Sequence, residues 1–159
     1  MTELKERPTF LTVLCILSFI GLGFGLIGNL FGLLFSKGVE AASGLAEEGM
    51  DEALYEIESE APALSGFMES IFGGATKAME HYTLLTTIAL ITTAIALAGV
   101  IMMWQLKKTG FYLYTGAKVI AILTPVFVIG GVVGGMTFLG AIFPIAFIVM
   151  YGVNLKAMS

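Results

Sequence analysis

The chain has 159 residues, of which 57% are hydrophobic and only 13% charged, and its mean hydropathy is +0.94. This composition excludes an ordinary soluble domain and is typical of a membrane protein. The net charge of −4 without a basic patch excludes nucleic acid as a partner. The single cysteine, Cys15, excludes a disulfide within the chain.

The first predicted element is an uncharged stretch over residues 10–35. A helix of about 26 residues is ~39 Å long, which exceeds the ~30 Å hydrocarbon core of a bilayer. We therefore predict a first transmembrane helix that tilts or projects beyond the core. Its apolar region is too long for a secretory signal peptide, and Glu3 and Glu6 dilute the basic start.

This stretch contains the segment GLGFGLIGNLFG, residues 21–32, which includes a literal G-x-G-x-x-G from Gly23 to Gly28. A dinucleotide site needs that motif between a strand and a helix of a soluble unit, and this context is missing. Glycines four residues apart instead allow two membrane helices to approach closely. We expect helix packing or a partner interface here, with an interhelical hydrogen bond from the amide side chain; the residues concerned are Gly21, Gly25, Gly28, Asn29 and Gly32.

Residues 36–81 form the only sizeable polar region, and ten of the twelve acidic residues lie in it. Small and apolar residues recur at helical spacing from Val39 to Ala61, and Pro62 then ends the pattern. A second apolar stripe from Leu64 to Tyr82 predicts an amphipathic helix, with Gly73-Gly74 as a bend. It lies in the membrane interface or runs directly into the second span. The acids do not follow the order of a calcium-binding loop, which favours a solvated helix face over a cation site.

Three further spans are predicted over residues 82–104, 111–133 and 136–153. Gly134-Gly135 leaves room for a tight turn only, so that the last two spans form an antiparallel hairpin. Pro125 and Pro144 should kink these two spans. Glycine pairs four residues apart extend the helix-packing prediction to this region: Gly130 with Gly134, and Gly131 with Gly135.

Two polar residues remain as functional candidates. Lys118 lies inside the third span and is either a functional cation or a side chain that snorkels to the interface. His81, the only histidine, lies at the outer boundary and cannot form a zinc or haem site alone. No span contains Asp or Glu, and no catalytic motif is present. We therefore expect no enzymatic activity, no cofactor and no metal.

The lysines and arginine predict the orientation. Six of the eight fall before the first span, between the second and third, just inside the third, or after the fourth. Because positive residues concentrate on the cytoplasmic side, both termini are predicted to be cytoplasmic and residues 36–81 to lie outside. The aromatic residues Trp104, Tyr112, Tyr114 and Tyr151 are expected at the cytoplasmic interface.

The stretch MWQLKKTGFYLYTGAKVI, residues 103–120, together with the opening RPTFLTVLCILSFIGLG, resembles uncharacterised small four-span inner-membrane proteins of bacteria. The resemblance covers most of the chain except the acidic loop, and it implies no catalytic residue. Fold and composition together predict one membrane domain over residues 1–159. It is an all-α integral membrane protein with four transmembrane helices in a bundle and an amphipathic helical segment between the first two.

Three functions remain in competition. The first is a non-enzymatic scaffold or accessory subunit that binds other membrane subunits, or copies of itself, through its glycine-rich faces. The alternative is an oligomeric channel or small-solute transporter lined by threonines such as Thr86 and Thr93. The third, a membrane enzyme or redox subunit, has the least support, because no acid, histidine pair or cysteine pair lies at catalytic depth. Membrane lipid is a partner in all three.

Overall fold

A computed structural model describes residues 8–158 of the chain. This part of the chain is helical throughout, without a strand, which confirms the all-α prediction. The elements are α1 (Thr9–Glu60), α2 (Pro62–Glu80), α3 (Tyr82–Trp104), α4 (Lys108–Val128), α5 (Gly131–Gly140), α6 (Ile142–Val153) and a short 3₁₀ turn (Leu155–Ala157).

Helix α1 is one continuous helix of 52 residues. At 1.5 Å per residue it is about 78 Å long, of which about 38 Å lies beyond residue 35. The uncharged stretch and the acidic stretch therefore share one helix. It ends at Glu60, just before Pro62 takes the first position of α2, where its missing N–H is tolerated.

Helix α2 passes through Gly73-Gly74 without a break and is separated from α3 by one residue, His81. Of the two arrangements considered for the amphipathic stripe, the structure has the direct continuation into α3. The backbone N–H of His81 donates to the carbonyl of Lys77, and the carbonyl of His81 accepts from Leu85. The break therefore leaves the hydrogen bonds on both sides of His81 in place.

Helices α1, α3 and α4 are long and apolar enough to cross a membrane. Helices α5 and α6 form a fourth stretch of this kind if they are taken together, although they are bent by about 40° at Ala141. Pro144 follows this bend and cannot donate a backbone hydrogen bond to Gly140. The number of such stretches is thus three or four.

The turn between the third and fourth stretches is not where the sequence places it. Helix α4 ends at Val128, and the chain turns at Gly130 and Gly131, whose φ angles are +66° and +58°. Gly134 and Gly135 lie inside α5. The expected turn at Gly134-Gly135 is therefore wrong, because the left-handed backbone that glycine tolerates occurs one helical turn earlier.

The long helices pack antiparallel to their neighbours. Gly25 of α1 lies beside Thr93 of α3, and Gly32 lies beside Thr86, so that position rises on α1 as it falls on α3. Helix α3 packs in the same way on α4, and α4 contacts both α5 and α6. The main core lies near the end where α1 and α4 begin and α3 and α6 finish; its largest fully buried side chains are Leu11, Val100, Met103, Tyr151 and Met158.

Candidate functional site

A buried polar contact joins α1 to α6. The hydroxyl of Tyr151 donates a hydrogen bond of 2.8 Å to Oγ of Ser18, and the Tyr151 side chain is 0% exposed. Tyr114 meets the Tyr151 ring edge to face, with 5.3 Å between ring centroids. Both tyrosines are therefore buried in the core near the end of the bundle where α4 begins and α6 finishes, and the bundle supplies a hydrogen-bond partner and an aromatic neighbour there. Their level in a membrane stays a prediction.

Next to this contact is a cavity of about 270 Å³ between α1 and α6, which we call the Lys118 groove. Its two walls are apolar: Leu17 and Leu22 belong to α1, and Phe143 and Phe147 belong to α6. The remaining lining residues include Ser18, Gly21, Gly25, Thr93, Tyr114 and Lys118. The groove exists because α1 and α6 contact each other less closely than α1 contacts α3 or α3 contacts α4.

Lys118 is the charged residue of this groove and is partly buried. Its Nζ lies over the ring of Tyr114, 5.7 Å from the ring centroid, within the range of a cation–π contact. Tyr114 is one turn closer to the start of α4, so the lysine stem extends toward that end of the helix. The direction fits a snorkelling side chain, while the position in a groove fits a ligand-binding cation.

The predicted packing glycines of α1 fall into two groups. A Cβ on Gly25 would lie 3.8 Å from Thr93, and a Cβ on Gly32 would lie 3.0 Å from the Tyr82 hydroxyl, so these two glycines face α3. Around Gly21 and Gly28 nothing lies within 4 Å of such a Cβ. We call Gly21 and Gly28 the open glycine face.

Asn29 lies between the two glycines that face α3. Its Nδ2 donates to Oγ1 of Thr93 at 3.2 Å, which joins α1 to α3 by a side-chain hydrogen bond. Thr86 is buried on the same side of α3, beside Gly32. The amide and the two threonines thus take part in the contact between α1 and α3.

The four glycines near the last turn have different surroundings. Gly130 and Gly131 form the turn itself. A Cβ on Gly134 would lie 3.3 Å from Val126, so this glycine packs against α4, whereas Gly135 has open space. Of the four, only Gly134 has the close helix contact expected of a packing residue.

The closest helix contact involves two glycines that sequence reasoning did not single out. A Cβ on Gly99 of α3 would lie 2.8 Å from the carbonyl oxygen of Gly110 of α4, and a Cβ on Gly110 would meet the carbonyl oxygen of Gly99. The two backbones therefore touch. Gly99 and Gly110 belong to separate helices, and neither has a second glycine four residues away. A search for glycines four residues apart on one helix could therefore not find them.

Glu40 of α1 caps the start of α3. Its Oε1 accepts a 3.0 Å hydrogen bond from the backbone N–H of Thr83, which lies in the first turn of α3 and has no helical acceptor there. The contact with Thr83 lowers the pKa of the Glu40 carboxyl below its usual range. His81, at the adjacent break, is exposed, and its Nδ1 lies 3.1 Å from the carbonyl oxygen of Lys77.

A second groove, of about 280 Å³, lies between α1 and α2 and is lined by Glu47, Asp51, Glu69, Glu80 and Lys77 among others. Within residues 8–158 no three Asp, Glu, His or Cys side chains are grouped so that they could hold a metal ion. The four acidic residues that line this groove are exposed.

Comparison of the chain with protein-family models, with curated proteins and with solved structures finds no match in any of the three.

Proposed function

We propose that this protein is a non-enzymatic integral membrane scaffold, or accessory subunit of a larger membrane complex, that binds other membrane helices through the open glycine face of α1. The observation that carries the proposal is the contrast between two glycine pairs. Helix α3 packs against Gly25 and Gly32. Gly21 and Gly28 have the same seven-residue spacing, but no atom lies within 4 Å of a Cβ built on either of them.

The surroundings of the open glycine face suit a helix partner. Phe24 and Phe31 flank it with the same spacing, and their side chains are 74% and 56% exposed. Because glycine has no side chain, the backbone of a second helix can approach α1 closely at Gly21 and Gly28, and the large phenylalanine side chains beside them extend the contact. The chain already uses glycine in this way inside its own bundle, at Gly32 and at the contact between Gly99 and Gly110.

We further propose that both termini are cytoplasmic and that residues 36–81 lie on the outer side. The helix order supports this topology. The turn with Lys107 lies at the end of the bundle where α3 finishes and α4 begins, and Lys156 lies just after α6 at the same end. The acidic arm formed by α2 and the end of α1 lies at the opposite end, where Gly74 meets Val133.

A scaffold is preferred over a threonine-lined channel or transporter. Thr93 is hydrogen-bonded to Asn29, and Thr86 packs beside Gly32. Both threonines therefore take part in the contact between α1 and α3. Within a single chain, this packing leaves their hydroxyls little freedom to line a pore.

The experiment is affinity purification from native membranes in mild detergent, with the wild type compared with Gly28→Leu. We expect a second subunit, or further copies of the chain, to co-purify with the wild type and to be lost from the variant. Gly116→Leu is the matched control, because Gly116 on α4 also has open space around its Cβ position. A wild-type protein that is monomeric and free of other subunits would overturn the proposal.

A further inference from the structure

Among the residues that the structure describes, none supplies a counterion to the cation of the Lys118 groove. No Asp or Glu occurs between Thr9 and Val39 or between His81 and Val153, which are the segments that supply every wall of the groove. Within residues 8–158, the ammonium of Lys118 lies over the ring of Tyr114, and no carboxylate lines the groove. A charged side chain in apolar surroundings is stable when an opposite charge joins it, so the groove is complementary to an anion.

The walls of the groove indicate what carries that anion. Leu17, Leu22, Phe143 and Phe147 present hydrocarbon, and the volume of about 270 Å³ is near the lower limit of ~300 Å³ for ligand cavities. A small hydrated anion would leave these walls without contacts. An anion attached to a hydrocarbon chain would fill the groove and neutralise the lysine together.

The opening of the groove is lateral, between two apolar helices. Gly21 on one rim has no side chain, and Phe143 on the other rim is 74% exposed. The chain bends by about 40° at Ala141, and Pro144, which follows this bend, lies in the groove wall. The molecules that surround such a face in a bilayer are lipids, so a lipid reaches the groove without leaving its leaflet.

The direction of the lysine fits a headgroup at the end of the bundle where α4 begins. Side chains on a helix tilt toward its N-terminus, and Nζ of Lys118 lies over Tyr114, one turn toward the start of α4. An acyl chain that extends from a headgroup at this position would run along the groove past Gly21 and toward Gly25.

From these observations we propose that the Lys118 groove binds one anionic phospholipid, with its phosphate paired to the ammonium of Lys118 and an acyl chain held between α1 and α6. The site shares Gly21 with the open glycine face, but Gly28 lies outside the groove, so Gly28→Leu tests the scaffold role and Lys118→Gln tests the lipid site separately.

The test is native mass spectrometry of the full-length protein in detergent micelles that contain phosphatidylglycerol or, in parallel, phosphatidylcholine. We expect one phosphatidylglycerol per chain and no equivalent retention of phosphatidylcholine. Lys118→Gln should weaken retention about fivefold or more, and Lys118→Arg should preserve it. Gly21→Leu should also abolish retention, because Gly21 lines the groove and an added Cβ there has no protein atom within 4 Å, which leaves room for the new side chain in the place of the acyl chain.

Two controls separate the site from general effects. Lys108→Gln removes an exposed lysine at the start of the same helix, and Gly28→Leu adds the same side chain to α1 outside the groove. Both should retain the lipid as the wild type does. Subunit association that persists in Gly28→Leu would be a failure of the scaffold proposal alone, and lipid retention that persists in both Lys118→Gln and Gly21→Leu would be a failure of the lipid site alone.

Several results would overturn the lipid site. These are equal retention of phosphatidylcholine, wild-type retention by both Lys118→Gln and Gly21→Leu, and displacement of phosphatidylglycerol by inorganic phosphate alone. Gel filtration and circular dichroism of each variant establish that it is folded. If Lys118→Gln fails to fold, Gly21→Leu still decides the outcome, because it leaves the lysine in place.

Discussion

The hydroxyl of Tyr151 on α6 donates a buried hydrogen bond to Oγ of Ser18 on α1, across 133 positions of the chain. This bond joins the first and last long helices at the level where the Lys118 groove begins, since Ser18 also lines the groove. The core around Tyr151 therefore holds together two helices that have few other contacts with each other.

Replacing Tyr151 by phenylalanine should destabilise the protein by about 1–3 kcal/mol, because the buried contact between α1 and α6 loses the hydrogen bond from Tyr151 to Ser18. The measurement is the free energy of unfolding in a fixed detergent. Tyr112→Phe is the control, since Tyr112 is 67% exposed and its hydroxyl is not in the core. Equal stability of Tyr151→Phe and Tyr112→Phe would contradict the assigned role of the hydrogen bond.

Replacing Gly110 by alanine should cost about 1–3 kcal/mol, because the added Cβ meets the backbone of α3 and the two helices must separate. Gly116→Ala on the same helix has open space and should be neutral or stabilising by up to about 1 kcal/mol, through higher helix propensity. Thermal unfolding of both variants measures the difference. A Gly110→Ala protein as stable as Gly116→Ala would show that the backbones do not touch.

Glu40 should make stability depend on pH in the acidic range. Its pKa is lower in the folded protein than the ordinary value of 4.5, because of the contact with Thr83. The cap is therefore fully present above that ordinary value and is lost as pH falls through the lowered folded pKa. Glu40→Gln keeps a hydrogen-bond acceptor but cannot be protonated in this range, so its unfolding midpoint should fall less than that of the wild type.

The comparison for this titration is Glu48→Gln, which removes an exposed carboxylate from the same helix. Unfolding midpoints are measured between neutral pH and about pH 3. As the pH falls, the midpoint of Glu48→Gln should decrease as much as that of the wild type, and the midpoint of Glu40→Gln should decrease less. Identical pH profiles for Glu40→Gln and the wild type would refute the contribution of this cap.

The proposed topology is tested by labelling single cysteines in a Cys15→Ala background. A membrane-impermeant maleimide added to intact cells should label Glu48→Cys, which is exposed on the acidic part of α1, and should not label Lys107→Cys in the turn between α3 and α4. After the cells are opened, both should react. Labelling of Lys107→Cys in intact cells would reverse the orientation.

Much of the fold could be predicted from local patterns. The apolar stretches that become α1, α3 and α4, and the helix break at Pro62, follow from the number of consecutive apolar residues and from the missing N–H of proline. The turn between α4 and α5 was misplaced. Several neighbouring glycines could each begin a turn, and in the structure Gly130 and Gly131 form it while Gly134 packs against Val126 within a helix.

The candidate sites were less predictable, because they depend on which faces meet. Lys118 and the glycines of α1 could be identified as candidates from the sequence. The sequence could not show that Lys118 shares a groove with Phe147, or that α3 covers Gly25 while Gly21 is open. Glu40 looked like one of many outer acids, and its hydrogen bond to Thr83 joins positions 43 residues apart.

The sequence by itself determined that the chain is helical and apolar enough for a membrane, because hydrophobicity and proline act within one or two turns of helix. Only the tertiary structure decided that Tyr151 is buried against Ser18, that Gly99 touches Gly110, and that Lys118 lines a groove between α1 and α6. These features depend on the rotation and tilt of whole helices, which are set by how all the side chains at an interface fit together.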